Sequence, residues 1–298
     1  MASSIHQEFQ GRTMPELPEV EAIRRQVRRV VMGGRIHKAM VRRRDVVRDR
    51  SNHRKGRLFT KDLGRGQVVD SVERRGKQLL VGFSDGGGMV VRLGMSGRIT
   101  LEDGSKRNPV VAHQHLVWMV ESPRPSQSPI RMSFIDPRRF GGVYLFGSVE
   151  DCRERLLTGL GPEATSIPGT RLHERLGRTR RMVKAALLDQ SVLAGVGNIY
   201  ADEALHSAGV HPERAGQSIS LVEAEKLAVA IRSTLKRAIQ AGGSTLRDHV
   251  LPDGSPGAFV GEHRVYGRGG KPCLACGKEL EMLQIASRSS IFCPRCQR

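Results

Sequence analysis

Between Glu16 and Gly34 the apolar residues Val20, Ile23, Val27 and Val30 recur at steps of three and four, which predicts a helix with one apolar face. Pro18 suits its first turn, Glu19 and Glu21 complement the positive end of its dipole, and Gly33–Gly34 end it. Arg24, Arg25, Arg28 and Arg29 fall on the opposite, solvated face. From about Arg35 to Phe146 the period shortens to that of strands. Runs such as QVVDSV, QLLVGF, MVVRLGM, GRITL, HLVWMV, RMSFID and GGVYLF are separated by turn residues, as at Ser84–Gly88 and Pro123–Pro129. They predict an antiparallel sandwich or barrel. The charged stretch Arg42–Arg65 reads as a long loop. Past Gly147 helical spacing returns, over Val149–Leu157, Thr170–Leu176, Thr179–Leu188, Ile199–Ala208 and Leu221–Gln240. Thr245–Gly270, rich in glycine and polar residues, reads as a loop.

The C-terminus changes character again. Cys273-x2-Cys276 and Cys293-x2-Cys296 are separated by sixteen residues. Each pair lets two thiolates reach one ion, and two pairs complete a closed tetrahedral zinc site. LEMLQIA and SSIFC between them fit the strands of a hairpin, with Arg288 near its tip. So small a module needs its metal to fold. The fifth cysteine, Cys152, stands apart and reads as a structural thiol.

Charge narrows the partner. Lys and Arg number 49 against 30 Asp and Glu, a net charge of +19 that opposes compaction and points to a polyanion. No apolar run approaches the ~20 residues of a membrane span. Residues 1–13 hold no hydrophobic stretch, so they are not a secretory signal. The expectation is a cytoplasmic, nucleoid-associated monomer. Gly195-Val196-Gly197 precedes Asn198 and a helix, and Gly209-Val210-His211-Pro212 ends that helix. Helix, turn, helix, turn, helix suits a grip on a DNA backbone: a helix N-terminus attracts an anion, Asn198 donates to it, and Lys184 and Tyr200 lie close in sequence.

PELPEVE at Pro15–Glu21, RRGKQLL around Lys77, LGMSG around Met95, DPRRFG at Asp136–Gly141, GVGNIYADE at Gly195–Glu203, DGSPGAF at Asp253–Phe259 and VYGRGGKPC entering the cysteine module occur in collinear order. Together they resemble formamidopyrimidine-DNA glycosylase, from Met14 to the C-terminus. The resemblance implies an α+β multidomain chain: a catalytic β-sandwich flanked by helices (14–147), a helix–two-turns–helix domain (148–243), a lesion-capping loop (244–263) and a β-hairpin zinc finger (264–298). It implies excision of oxidised purines, 8-oxoguanine and formamidopyrimidines, from duplex DNA, then β,δ-elimination at the abasic site through a Schiff base.

The resemblance assigns residues as well. Pro15 matches the nucleophilic amine, Glu16 the acid/base, and Lys77 and Arg288 the cations completing the catalytic set. An α-amino group titrates at about 7.7–8.0, so much of it is unprotonated at neutral pH. Met95, Arg138 and Phe140 match the wedge that fills the gap left by an everted base. His113, Lys184, Asn198 and Arg247 match further DNA contacts, and Cys273, Cys276, Cys293 and Cys296 the ligands of one structural zinc.

One feature departs from the family pattern. Met14-Pro15 is preceded by 13 residues. While they remain attached the Pro15 nitrogen is an amide without a nucleophilic lone pair. We expect the active chain to lack residues 1–13, by initiation at Met14 or by processing. The alternatives are an endonuclease VIII-like enzyme for oxidised pyrimidines and, with the extension retained, a non-catalytic zinc-containing DNA-binding protein.

Overall fold

The computed structural model describes residues 14–49, 63–123, 127–155, 157–244 and 251–298. Residues 1–13 and Arg247 lie outside these stretches. The first helix, α1 (Leu17–Val31), buries Val20, Ile23 and Val27 against the sheets that follow, as the spacing predicts, with Val30 only partly buried and its neighbour Val31 fully so. Leu17, at its start, enters a different core, that of the helical domain. One helix therefore contributes to both cores.

Among the described residues nine strands follow: β1 (Ile36–Val41), β2 (Val47–Asp49), β3 (Val69–Arg75), β4 (Gln78–Phe83), β5 (Gly88–Arg92), β6 (Arg98–Asp103), β7 (Gln114–Val120), β8 (Ile130–Ile135) and β9 (Gly142–Phe146). They form a four-stranded sheet, β1-β7-β8-β6, and a five-stranded sheet, β2-β9-β5-β4-β3. Alternate residues of β4 (Leu79, Val81 and Phe83) meet Ile99, Leu116, Trp118 and Phe134 of the facing sheet in one core. The result is a sandwich, with one exception to the expected antiparallel pairing: β2 runs parallel to β9. That strand and a 3-10 turn at Arg44–Val46 lie inside Arg42–Arg65, read from sequence as a loop. Pairing with β9 organises a segment whose composition is charged. The thiol of Cys152 packs against Val90, Tyr144 and Phe146 on the outer face of the second sheet, and burial pushes its pKa up to about 11.

The helical domain contains α2 (Val149–Arg155), α3 (Gly169–Gly177), α4 (Val183–Leu188), α5 (Asn198–Ala208) and α6 (Leu221–Gln240). Helix α4 starts four residues later than its pattern predicts. Thr179 and Arg181 give their carbonyls to the N–H groups of Gln217 and Gly216, which commits this backbone to a turn. Ser220 caps α6 by accepting from the Glu223 N–H, and Glu223 returns to the Ser220 N–H at 2.9 Å. Within the expected loop Thr245–Gly270, a 3-10 turn at Phe259–Glu262 buries Phe259 in the helical core.

The last strands, β10 (Glu281–Ile285) and β11 (Arg288–Phe292), form the predicted hairpin. A buried ion pair joins it to the helices. Lys184, fully sequestered on α4, meets the Asp202 carboxylate of α5 at 2.6 Å and donates to the Ser289 carbonyl at 2.7 Å. Asp202 also accepts from the Ser290 hydroxyl and the Ile291 N–H. Glu203 accepts from the N–H groups of Arg264, Val265 and Tyr266, fixing the connection into the hairpin. Removing one partner of such a pair strands a charge away from water, a loss of about 3–5 kcal/mol. Lys184→Ala is therefore expected to lower the thermal unfolding midpoint strongly, as measured by calorimetry; an unchanged midpoint would refute this account of the joint.

Candidate active site

The N-terminus of α1 meets the N-terminus of α5 through two buried carboxylates. The Glu16 carboxylate accepts from the N–H groups of Ile199 (3.0 Å) and Tyr200 (3.5 Å), free donors of the first turn of α5. Gly197 permits the approach, since a Cβ there would lie 2.3 Å from the Glu16 carboxyl carbon. Glu19 accepts from the Glu16 N–H at 2.9 Å, the Tyr200 hydroxyl at 2.5 Å and the Ser244 N–H at 2.7 Å. At Gly243, where φ is +85°, a Cβ would lie 2.7 Å from the Glu19 carboxylate. Pro15 is buried beside this pair.

Cations converge on it. Lys77 sits in the turn between β3 and β4, which is fixed to the helical domain: Arg74 and Arg75 pair with Glu163, and Glu163 accepts from the Gly76 N–H at 3.0 Å. Burial raises the Glu16 pKa to about 7; the Lys77 charge opposes this and the Glu19 charge adds to it. Burial in turn lowers the Lys77 pKa, with Glu16 resisting and Arg288 reinforcing the shift. Arg288 is exposed at the start of β11, after two residues of positive φ, Ala286 and Ser287. A carboxyl group titrating near neutrality can hold or release a proton there.

Tyr266, which the sequence pattern does not single out, belongs to the same region. Burial raises its pKa, as do the nearby Glu16 and Asp202, while Asn198, the first residue of α5, opposes the shift. It lies in the VYGRGGKPC motif, but nothing in the local pattern distinguishes it from a core tyrosine.

A second cluster lies at one end of the sandwich. Met95 is half-buried in the β5–β6 turn, and His113, Arg138 and Phe140 are exposed. Phe140 is 59% exposed, and the Arg138 guanidinium lies 4.6 Å from its ring centre. Asp136 organises these loops. Fully buried, it accepts from the Ser96 hydroxyl (2.6 Å) and the Gly141 N–H (2.8 Å), while its own N–H donates to the His113 carbonyl (3.1 Å). Ser96 in turn accepts from the Arg138 N–H at 3.1 Å. Lys184, expected among the DNA contacts, is instead buried against Asp202 and the Ser289 carbonyl. Arg247 lies outside the described residues.

The four hairpin cysteines are positioned to bind one zinc ion. Their sulfur atoms all lie within 4.8 Å of one another, with Cys276–Cys293 at 3.5 Å and Cys273–Cys296 at 4.0 Å. A tetrahedron of bonds near 2.3 Å has edges of about 3.8 Å. Four thiolates leave no open position, so the ion supplies folding energy rather than chemistry.

A sandwich, a helical domain with paired turns and a cysteine-rich hairpin thus come together around a proline and a glutamate at the start of α1. Three family models match the chain: the formamidopyrimidine-DNA glycosylase N-terminal domain over residues 14–143, the H2TH domain of that glycosylase over 159–250, and the zinc finger found in FPG and IleRS over 270–298. The chain belongs to the formamidopyrimidine-DNA glycosylase family. It is 42% identical to the formamidopyrimidine-DNA glycosylase of Gluconobacter oxydans, over 96% of this chain and all of that protein. Its fold is similar to the MutM (Fpg) protein of Thermus thermophilus, at 38% identity and a TM-score of 0.80, covering 95% of this chain and 98% of that one. The Lactococcus lactis Fpg bound to abasic-site DNA is 30% identical, with a TM-score of 0.84, covering 95% of this chain and 100% of that one.

Two outcomes are expected. A carboxyl titration followed by NMR places the Glu16 midpoint near 7, and Lys77→Ala moves it higher because a stabilising cation is lost; a midpoint near 4 would contradict the burial argument. Metal analysis finds one zinc per chain, and Cys293→Ala loses both the ion and much of the DNA affinity; full affinity without zinc would make the hairpin dispensable.

Proposed function

We propose that this chain excises oxidised purines, 8-oxoguanine and formamidopyrimidines, from duplex DNA and then cleaves the abasic strand, with the Pro15 nitrogen as nucleophile. The observation that carries the reading is the buried Pro15–Glu16 pair at the N-terminus of α5, with a Glu16 pKa near 7 and Lys77 beside it. An unprotonated Pro15 amine attacks C1′ of the nucleoside. The C1′–N bond breaks, and the base departs with its bonding electrons and takes up a proton. Glu16, protonated in part at neutral pH, protonates the opening sugar ring. A secondary amine gives an iminium that is cationic without an added proton, and this electron sink acidifies the C2′ hydrogen. Loss of that proton expels the 3′ phosphate, and a second elimination expels the 5′ phosphate. In this reading Lys77 and Arg288 hold phosphates near the lesion, and Asn198 a phosphate at the α5 N-terminus. Met95, Arg138 and Phe140 enter the helix where the base has left, Phe140 as an apolar wedge and Arg138 as a donor to the orphaned base.

The reading takes the chain as a monomer acting on nucleoid DNA. No helix among the described residues is long and apolar enough to cross a membrane. It also takes residues 1–13 as absent from the active form, because an acylated Pro15 nitrogen cannot attack.

The test is borohydride trapping on a duplex containing 8-oxoguanine, with mass spectrometry of the crosslinked peptide. A chain verified to begin at Pro15 is expected to crosslink through that residue, and one retaining residues 1–13 is not. No crosslink from the free-proline chain would sink the reading. Scission at thymine glycol but not at 8-oxoguanine would reassign the substrate to oxidised pyrimidines.

A further inference from the structure

The last turn of α5 is built against the cysteine site. Asp202 and Glu203 already take backbone N–H groups of the hairpin and of its approach. One turn further on, His206 reaches the cysteines themselves. Its imidazole is buried, and Nε2 lies 3.5 Å from the Cys273 Sγ. The chain that leaves the helix closes the same side. Buried Gln297 accepts from the Cys293 N–H at 2.9 Å and donates to the Val210 carbonyl at 2.9 Å. The Arg298 N–H donates to the Gly209 carbonyl, and the His211 N–H to the Arg298 carbonyl, each at 3.0 Å. The His211 ring meets Phe292 edge-on, with centres 4.5 Å apart.

Within this joint His206 is more than filling. Among the described residues its Nδ1 has no hydrogen-bond partner. A buried polar atom left so is destabilising, and a phenylalanine ring would fill much the same space without it. What imidazole adds over phenyl is an N–H, and the acceptor within reach of Nε2 is the Cys273 sulfur. With zinc held, that sulfur is a thiolate, which has lone pairs to offer and no proton to give. The neutral ring therefore carries its proton on Nε2. Four thiolates around one dication leave a net charge of about −2, and Cys273 is buried away from water. The Ala275 N–H, 3.4 Å from the Cys273 sulfur, approaches it from the hairpin's own loop. The His206 ring approaches it from the helical domain.

We propose that His206 is a positioning residue of the metal site: its Nε2–H donates to the zinc-bound Cys273 thiolate, so that α5 takes part in holding the ion. A donor of this kind fixes the orientation of a ligand and offsets its charge. The same helix receives the Glu16 carboxylate at its first turn, so one element runs from the buried acid to the metal. This role is independent of which base the chain excises.

The experiment follows zinc loss from the full chain to a chelating dye. His206→Phe keeps a ring of similar size and removes the donor; it is expected to release zinc about tenfold faster. His206→Gln places an amide N–H close to where Nε2 stands, and is expected to stay within about threefold of the unmodified chain. Release from His206→Phe at the unmodified rate, or from His206→Gln as fast as from His206→Phe, overturns the proposal. Should His206→Phe fail to fold, the unmodified chain decides by itself. Nitrogen-15 spectra of the zinc-loaded chain are expected to show the His206 proton on Nε2. With cadmium-113 in place of zinc, that proton is expected to couple to the metal through the Cys273 sulfur. A proton on Nδ1, or an Nε2 proton without the coupling, overturns the assignment.

Discussion

The Glu19 carboxylate is the constraint on which the rest of the arrangement depends. It binds the Glu16 N–H, the Tyr200 hydroxyl and the Ser244 N–H, and so joins α1, α5 and the segment leaving α6 at one point. Burying a carboxylate is costly unless its lone pairs are filled. Here three donors fill them: the Glu16 N–H is local to the cap of α1, while the Tyr200 hydroxyl and the Ser244 N–H reach the carboxylate only when α1 and the helical domain are folded together. The glycines on either side follow from this. Gly197 and Gly243 are the positions where a side chain would collide with Glu16 or Glu19.

The same logic distributes charge through the molecule. The chain carries a net charge of +19, yet five carboxylates are buried at α1 and α5, Glu16, Glu19 and Glu21 at the first and Asp202 and Glu203 at the second, beside the imidazole of His206. Asp202 and Glu203 hold the hairpin and its approach by accepting backbone N–H groups, and Glu16 and Glu19 hold α5 and the end of α6 in the same way. Acids in the interior position the elements, leaving cations such as Arg138 and Arg288 exposed for a polyanion. Lys184 and Arg131 are buried cations: Asp202 neutralises Lys184, and Arg131 donates to the Asn108 carbonyl and the Gln114 side chain.

Much of this was legible in the sequence. The spacing of Val20, Ile23, Val27 and Val30 marked α1, and two CxxC pairs marked the hairpin, because periodicity and metal geometry are local constraints. The glycines before Asn198 announced a close approach, though not that a glutamate of α1 would make it. What stayed hidden depends on partners far along the chain. Strand β1 presents His37 and Lys38 to solvent and is a strand because it pairs with β7. Lys184 reads as a surface cation until Asp202 and the Ser289 carbonyl are brought to it. Asp136 sits in a recognisable motif, but its role comes from Ser96 and His113, which the fold delivers from other loops.

Asp136 and Glu19 solve one mechanical problem at two places. The Met95, Arg138 and Phe140 cluster and the Pro15, Glu16 and Lys77 cluster lie on separate loops and helix ends. Neither cluster is held mainly by apolar packing at its tip, since Phe140 and Arg288 are exposed. Each is instead aimed by a buried carboxylate that collects donors from several segments. Such a carboxylate tolerates little displacement, because losing any donor leaves part of a buried charge unsatisfied. Precision at the two exposed ends is inherited from acids that never reach the surface.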